Sequence, residues 1–268
     1  MKYIIDLLKG MVIGISNVIP GVSGGTMAVV MGIYDKIIYS VNNFFKDIKK
    51  NIVFLGTIGI GAVIGILLFT NVIDYLLKNF NEQTNFFFIG LIVGTVPLLY
   101  KKAMETKIKT GNLIGLIIGF AIVAGLGILE KVNPDAAFLS SIFKPNYIGF
   151  FVAGFIAAAT MILPGISGSF VLLLIGLYEP IIGLIKTFDI VGIAVVGIGV
   201  LAGFLLMTKL IENIFNKYPQ TAYCIICGLV IGSVFVIYPG FRFGIMGVVS
   251  IISLIIGFLI AYVISKSE

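Results

Sequence analysis

The chain has no histidine, no tryptophan and one arginine, and only 11% of its 268 residues are charged. Soluble globular domains carry about a quarter charged residues, so this composition argues against a soluble enzyme or binding module. The two cysteines, Cys224 and Cys227, lie in an apolar run without any histidine in the chain. We therefore expect two packed thiols in place of a metal or redox site, and we expect no cofactor.

Long apolar runs recur along the whole sequence, and each is near the roughly 20 residues that cross a hydrocarbon core of about 30 Å. They span residues 52–70, 86–100, 113–129, 190–207, 223–238 and 245–264. No polar block is long enough for a separate soluble domain. The sequence predicts an all-α integral membrane protein that forms one membrane domain.

The two halves of the chain resemble each other. Residues 20–38 align without gaps on residues 164–182, and Asp35 falls on Glu179. Further along, Gly90 and Gly94 fall on Gly228 and Gly232 after a short length difference. Such an ordered set of matches indicates an internal duplication, with residues 1–132 as the first repeat and residues 133–268 as the second.

Each repeat has one interrupted segment, residues 10–34 or 154–178, followed by three continuous apolar runs. Pro20 and Pro164 would end a helix, and Gly21 and Gly165 permit a tight reversal. The helical pieces would be about 16–18 Å long, roughly half the hydrocarbon thickness. We interpret both segments as re-entrant helical hairpins; the alternative is two full crossings in each.

The positions of the basic residues predict the orientation. With the N-terminus and C-terminus in the cytoplasm, thirteen of the eighteen lysine and arginine residues lie on the cytoplasmic side, as the positive-inside rule requires. Each repeat then crosses an odd number of times, so the second repeat is inverted. We expect a multi-pass protein of the cytoplasmic (inner) membrane. The net charge of +6 requires no nucleic-acid partner, because most of it is this cytoplasmic excess of lysine, which also favours anionic lipid headgroups.

Small polar residues follow each predicted turn, at the start of the second half-helix: Ser23, Gly24, Gly25 and Thr26, and Ser167, Gly168 and Ser169. Serine is a good N-cap, and the first N–H groups of a helix have no intrahelical partner. Two such starts that meet inside a bilayer suit an anion, phosphate in particular. Asn17 would add a hydrogen bond. The alternative is that these residues only permit kinks and close packing. In the first long run, Gly56, Gly59, Gly61 and Gly65 would allow the close helix packing that movement of one half against the other needs.

Three charged residues have two interpretations each. Asp35 and Glu179 either begin a helix at the membrane surface or form a proton or cation site that drives transport. Arg242 either contacts a phosphate headgroup or anchors a loop at the interface.

The turns also match G-x-S-G, a motif that resembles the nucleophile motif of rhomboid intramembrane proteases. Those enzymes pair the serine with a histidine base, which this chain lacks. The absence argues equally against histidine-dependent lipid phosphatases. We expect no enzyme activity.

The paired I-P-G-V-S-G-G-T and L-P-G-I-S-G-S segments, each followed by G-[IL]-Y-[DE], resemble the polyprenyl-phosphate transporter family, long known as an integral-membrane domain of unknown function. The resemblance covers nearly the whole chain. It implies return of a lipid carrier such as undecaprenyl phosphate from the outer to the cytoplasmic leaflet for cell-envelope glycopolymer synthesis. The second motif departs from the first, with Ser169 and Phe170 in place of Gly25 and Thr26.

The resulting hypothesis is a polyprenyl-phosphate flippase whose headgroup site lies between the two half-helix starts. The alternatives are a secondary transporter of a small soluble anion and an assembly partner of envelope-synthesis enzymes. The sequence leaves the oligomeric state open.

Overall fold

The computed structural model describes residues 2–19, 22–103, 110–132 and 143–266, which form twelve α-helices and no β-strand. The first half of the chain contains α1 (Lys2–Ser16), α2 (Gly24–Val30), α3 (Tyr34–Asn42), α4 (Ile48–Asn79), α5 (Asn81–Ala103) and α6 (Thr110–Val132). The second half contains α7 (Tyr147–Ile162), α8 (Gly168–Leu174), α9 (Tyr178–Lys186), α10 (Ile190–Lys217), α11 (Pro219–Ile237) and α12 (Ile245–Lys266).

Six of these helices, α4, α5, α6, α10, α11 and α12, are long and apolar enough to cross a membrane. Each coincides with one apolar run of the sequence, so the prediction of an all-helical, multi-pass membrane protein is confirmed. In α5 and α11, 56% of the span is buried inside the protein, against 17–28% in the other four. The helices α5 and α11 therefore form the centre of the bundle, and the other four present apolar side chains outward.

The helix pairs follow the same scheme in both halves. The helix α1 packs along α4 and α7 along α10, while α5 packs along α12 and α6 along α11. Small residues permit the close approach: a Cβ at Gly65 would overlap the backbone of Met11, and a Cβ at Gly203 would overlap that of Phe155. Gly56 and Gly59 have no atom within 4 Å of such a Cβ. The expected packing role is confirmed for Gly61, where a Cβ would overlap the backbone of Leu7, and for Gly65. It is wrong for Gly56 and Gly59, which lie on the outward face of α4.

Breaks in helical structure separate α1 from α2 and α7 from α8. In the second break, Pro164 supplies no N–H and Gly165 has a left-handed φ of +83°. Pro20 and Gly21, the corresponding predicted turn, lie outside the described residues. The turns that follow the short helices contain Gly32 and Gly176, with φ of +64° and +72°. The helices α8 and α9 meet at an angle of 107°. Re-entrant insertion and inversion of the second repeat stay predictions.

The two broken segments are packed differently. Helix α2 lies against α5 and α7, and α3 lies against α10, whereas the extensive contacts of α8 are with α7 and α9. At matched positions, Val29 is 6% exposed and Leu173 is 41% exposed. Helix α2 is thus buried inside the bundle, while α8 leaves part of its surface uncovered beside the site described next.

Candidate functional site between the two helix breaks

The two helix breaks meet at one cavity of about 630 Å³. Six of the residues that the sequence singled out line it: Asn17, Ser23, Gly24, Ser167, Gly168 and Ser169. The structure therefore brings the starts of α2 and α8 together, although they are about 140 residues apart in sequence. The rest of the lining is apolar and comes from the breaks themselves and from α4, α7 and α8: Val18, Ile19, Val22, Ile66, Ala157, Met161, Ile166, Phe170, Leu172 and Leu173. We call this the tip cavity.

Ser23 begins α2 as its N-cap. Its backbone is extended, with φ −96° and ψ 138°, and its Oγ accepts the N–H of Gly25 at 3.1 Å. The side chain of Asn17 lies over the next residue, because a Cβ at Gly24 would lie 2.9 Å from Asn17 Oδ1. The predicted cap is confirmed, and the absence of a side chain at Gly24 leaves room for the Asn17 amide beside the helix start.

Ser167 occupies the N-cap position of α8 without capping it. Its hydroxyl makes no bond to a backbone N–H and instead lies 2.8 Å from the Ser169 hydroxyl. Two hydroxyls joined by one hydrogen bond use one of their two protons. The second proton is available to a ligand in the cavity. The cap predicted for Ser167 is wrong because its neighbour two residues on competes for the same oxygen.

Gly25 and Thr26 do not line the cavity. A Cβ at Gly25 would lie 2.9 Å from the carbonyl oxygen of Ile162, so Gly25 lets α2 approach the end of α7. Thr26 is completely buried, and its Oγ1 accepts the N–H of Gly165 at 2.7 Å. Both residues hold the two breaks against each other, a role that the sequence did not indicate because it depends on contacts between distant segments.

Phe170 explains why the second motif departs from the first. It stands at the position that Thr26 occupies in the first repeat, and it lies beside Val123, Gly127 and Val236 of α6 and α11. A threonine there would lack the side-chain volume that fills this apolar crevice. The two breaks are therefore alike in backbone course and unlike in how each is anchored.

Asp35 and Glu179 lie outside the tip cavity, each in the first turn of its helix. Asp35 Oδ2 accepts the hydroxyl of Tyr223 at 2.7 Å and lies 3.7 Å from Lys102 Nζ. Glu179 is exposed and, among the described residues, has no hydrogen bond or ion pair. Asp35 thus contacts α5 and α11, whereas Glu179, its counterpart in the second repeat, contacts neither of the corresponding helices through a hydrogen bond or an ion pair to the described residues.

Arg242 is also remote from the tip cavity. It lies in the connection between α11 and α12, is exposed, and its backbone N–H donates to Glu82 Oε1 at 3.2 Å. It lines a separate groove of about 400 Å³ together with Lys78 and Asn81. Arg242 and the serines therefore do not line the same cavity.

Sequence reasoning missed a polar contact zone between α3 and α10. The Thr208 hydroxyl lies 2.9 Å from Asn42 Oδ1, and Asn43 Nδ2 donates to Glu212 Oε1 at 2.9 Å. Glu212 is the counterpart of Asp74 in the duplication, and an acidic residue within an apolar helix is a signal for a buried partner. The partner itself, two asparagines that end a short helix, carries no such signal.

The comparisons with known proteins agree with the resemblance that the motifs indicated. Residues 13–245 match the family model described as "VCA0040-like: Undecaprenyl phosphate translocase-like". A polyprenyl-phosphate transporter of Staphylococcus aureus (strain NCTC 8325 / PS 47) is 35% identical over an alignment of 271 positions, gaps included, that covers 98% of this chain and 96% of that protein. A polyprenyl-phosphate transporter of Vibrio cholerae serotype O1 (strain ATCC 39315 / El Tor Inaba N16961) is 31% identical over 253 residues, 89% of this chain and 79% of that protein. No solved structure gives a significant match. The chain therefore belongs to the VCA0040-like, undecaprenyl phosphate translocase-like family of membrane proteins.

Proposed function

We propose that this protein is a flippase for a polyprenyl phosphate such as undecaprenyl phosphate. It would return the carrier from the outer to the cytoplasmic leaflet for cell-envelope glycopolymer synthesis. Two relatives named polyprenyl-phosphate transporter support the substrate class. The observation that carries the proposal is that serines from both helix breaks line one cavity within a membrane bundle.

The tip cavity suits a phosphate headgroup through neutral donors. The hydroxyls of Ser23, Ser167 and Ser169 and the amide of Asn17 line it, and within the described residues no lysine or arginine does. Hydroxyl and amide donors hold a phosphate less tightly than an ion pair does. A weaker site favours transport, because the headgroup must leave again on the other side. Helices as short as α2 and α8, seven residues each, add little dipole, so individual donors carry the site.

The apolar part of the cavity lining favours a lipid over a soluble anion. Val18, Ile19, Leu172 and Leu173 lie beside the polar donors. The first isoprene units of a polyprenyl phosphate would contact these side chains, whereas a small soluble anion would gain nothing from them. The rest of the isoprenoid chain would stay in the surrounding lipid.

The unequal packing of the two breaks supports an alternating-access cycle. The hydrogen bond between Asp35 and Tyr223 ties α3, which follows the first break and α2, to the central helix α11. The duplication places Asn85 of α5 where Tyr223 stands in α11, so Glu179 and Asn85 are the corresponding pair. In the proposed cycle, the contact between Asp35 and Tyr223 breaks on one side of the membrane while a contact between Glu179 and Asn85 forms on the other side.

Reconstitution into liposomes tests the proposal. A fluorescent polyprenyl phosphate is inserted, and its movement between leaflets is followed by quenching from outside, with and without a pH gradient. We expect movement to be faster with the protein, and excess unlabelled polyprenyl phosphate to compete where inorganic phosphate does not. Competition by inorganic phosphate alone would favour a soluble-anion transporter. No acceleration by folded protein would favour an assembly partner.

A further inference from the structure

A second cavity of about 630 Å³ lies at the other end of α3, where the chain enters α4. It shares no residue with the tip cavity. Four lysines from α3, the α3–α4 connection and α4 line it together with two acidic residues: Lys36, Lys46, Lys49 and Lys50, with Asp6 and Asp47. Four positive charges against two negative ones leave the lining with a surplus of two positive charges. We call this the lysine cavity.

One lysine is part of the protein's own structure. Lys36 Nζ lies 3.6 Å from Asp6 Oδ2 and 3.5 Å from the centre of the Phe54 ring. Lys46, Lys49 and Lys50 are exposed, and the described residues give none of them an ion pair. Lys36 thus forms the wall of the cavity, and the other three lysines supply its free positive charge.

The start of α4 carries more positive than negative charge, with Lys49 and Lys50 against Asp47. Lys49 and Lys50 lie in the first turn of α4, and the side chain of Asp47, at the N-cap, makes no capping bond. Positive side chains beside the positive end of a 32-residue helix repel it. A bound anion would remove this repulsion and accept the unpaired N–H groups of the first turn.

A buried hydroxyl in the wall points independently to a ligand. Ser40 is 4% exposed and lines the lysine cavity, yet in the described parts of the chain its hydroxyl has no hydrogen-bond partner. The nearby Asn51 does have one, because its Nδ2 donates to the Asn43 carbonyl at 2.8 Å. Among the described residues, the fully enclosed side-chain atoms without a partner are Asn42 Nδ2 and Asn112 Nδ2, so the Ser40 oxygen is open to the cavity. A ligand oxygen next to Ser40 would accept the proton of its hydroxyl.

The setting of the cavity indicates a lipid ligand. The helix α4 has 32 residues, about 48 Å, so it extends well beyond a hydrocarbon core of about 30 Å and its first turns reach the headgroup layer. Tyr3, Tyr39 and Phe54 also line the cavity. Aromatic side chains at this level are typical of membrane interfaces. A free phosphate would leave this aromatic and aliphatic wall without a partner.

We propose that the lysine cavity binds the phosphate headgroup of an anionic lipid. Lys46, Lys49, Lys50 and the start of α4 hold the phosphate, Ser40 donates to one of its oxygens, and the aromatic wall contacts the glycerol and first methylenes. Since Lys36 and Ser40 lie on α3, which follows the first helix break, a bound headgroup also stabilises the position of α3. This site is independent of the flippase proposal and of the tip cavity.

Thermal unfolding of the full chain in detergent tests this binding. The probes are dioctanoyl phosphatidylglycerol, dioctanoyl phosphatidylcholine and inorganic phosphate, each titrated at constant ionic strength. We expect phosphatidylglycerol to raise the unfolding temperature in a saturable way. The other two probes should either leave the unfolding temperature unchanged or need an at least tenfold higher concentration for half of the rise (the midpoint). Equal responses to phosphatidylglycerol and inorganic phosphate would overturn the lipid assignment. Equal responses to the anionic and the zwitterionic lipid would show that the lysines do not recognise negative charge, and would overturn the proposal.

Variants locate the response. The triple variant Lys46→Gln, Lys49→Gln, Lys50→Gln should raise the phosphatidylglycerol midpoint at least tenfold. The variant Ser40→Ala, which changes no charge, should raise it several-fold. The matched control Lys78→Gln, Lys144→Gln, Lys186→Gln removes three lysines elsewhere and should leave it unchanged. If the control shifts the midpoint as much as the triple variant, or if Ser40→Ala has no effect, the site is not the one proposed. The double variant Ser23→Leu, Ser167→Leu should respond like the native chain, which separates this site from the tip cavity.

Discussion

The backbone N–H of Gly165 donates a 2.7 Å hydrogen bond to Oγ1 of Thr26, 139 residues earlier in the chain. This bond joins the turn of the second helix break to the first helix after the other break. It is formed inside the protein, since Thr26 is completely buried. The closeness of the two breaks, and with it the existence of a shared tip cavity, depends on such contacts.

Replacing Thr26 by valine tests this contact. Thr26→Val keeps the side-chain shape but leaves the Gly165 N–H without an acceptor, which should lower the free energy of unfolding by about 1–3 kcal/mol. Thr26→Ser keeps the acceptor oxygen and should lose less. Chemical unfolding in detergent measures both. If the serine variant is the less stable of the two, the hydrogen bond is not what holds the breaks together.

The left-handed conformation of Gly165 gives a second prediction. Gly165→Ala should destabilise the protein by at least about 1–2 kcal/mol, because φ is +83° and L-residues are strained there. A Cβ would also lie 2.7 Å from the Leu229 carbonyl oxygen. The matched change Gly183→Ala adds a Cβ in open space within α9 and should be neutral or stabilising. Thermal unfolding compares the two, and equal losses would contradict this account of the turn.

Two glycines of α4 provide a matched pair for the helix packing. Gly65→Ala forces a Cβ into the backbone of Met11 on α1, whereas Gly59→Ala meets no atom within 4 Å. We expect Gly65→Ala to lower the free energy of unfolding by about 1–3 kcal/mol, the usual range for overpacking. We expect Gly59→Ala to leave it unchanged. The yield of monodisperse protein and its unfolding temperature report the difference. A Gly59→Ala variant as unstable as Gly65→Ala would mean that α4 packs differently.

The contact between Tyr223 and Asp35 gives a prediction about the transport cycle. Tyr223→Phe removes the 2.7 Å hydrogen bond but keeps the ring, whose centre lies 5.2 Å from that of Phe215. The arrangement in which Asp35 contacts Tyr223 should become less stable by about 0.5–1.5 kcal/mol. We expect an altered rate of lipid movement in liposomes with unchanged phosphate binding in detergent. Tyr218→Phe, an exposed tyrosine on the same helix start, is the control. Identical rates for all three proteins would rule out a gating role for this bond.

The sequence predicted the features that local chemistry determines. Residue composition identified six membrane spans, and Ser23 followed its motif as an N-cap because the capping atoms are two residues apart. Contacts between distant segments were not predictable in this way. The Ser167 hydroxyl bonds to Ser169, and Thr26 turns from the cavity to the Gly165 backbone. The near-identity of the two motifs also concealed their unequal packing, because burial depends on what surrounds each motif.

The central claim is that both helix breaks contribute to one headgroup site, and leaflet-to-leaflet movement of a fluorescent polyprenyl phosphate in liposomes tests it most directly. The account predicts that Ser23→Leu and Ser167→Leu, each made alone, slow the protein-dependent movement at least tenfold in folded protein. Thr57→Leu and Thr187→Leu are the controls, and both should match the native rate. The Thr57 hydroxyl bonds to the Val53 carbonyl of its own helix, the Thr187 hydroxyl bonds to the Gly183 carbonyl of the helix that it caps, and neither threonine lines the cavity. Native rates in both serine variants, or a loss in only one of them, would contradict a shared site.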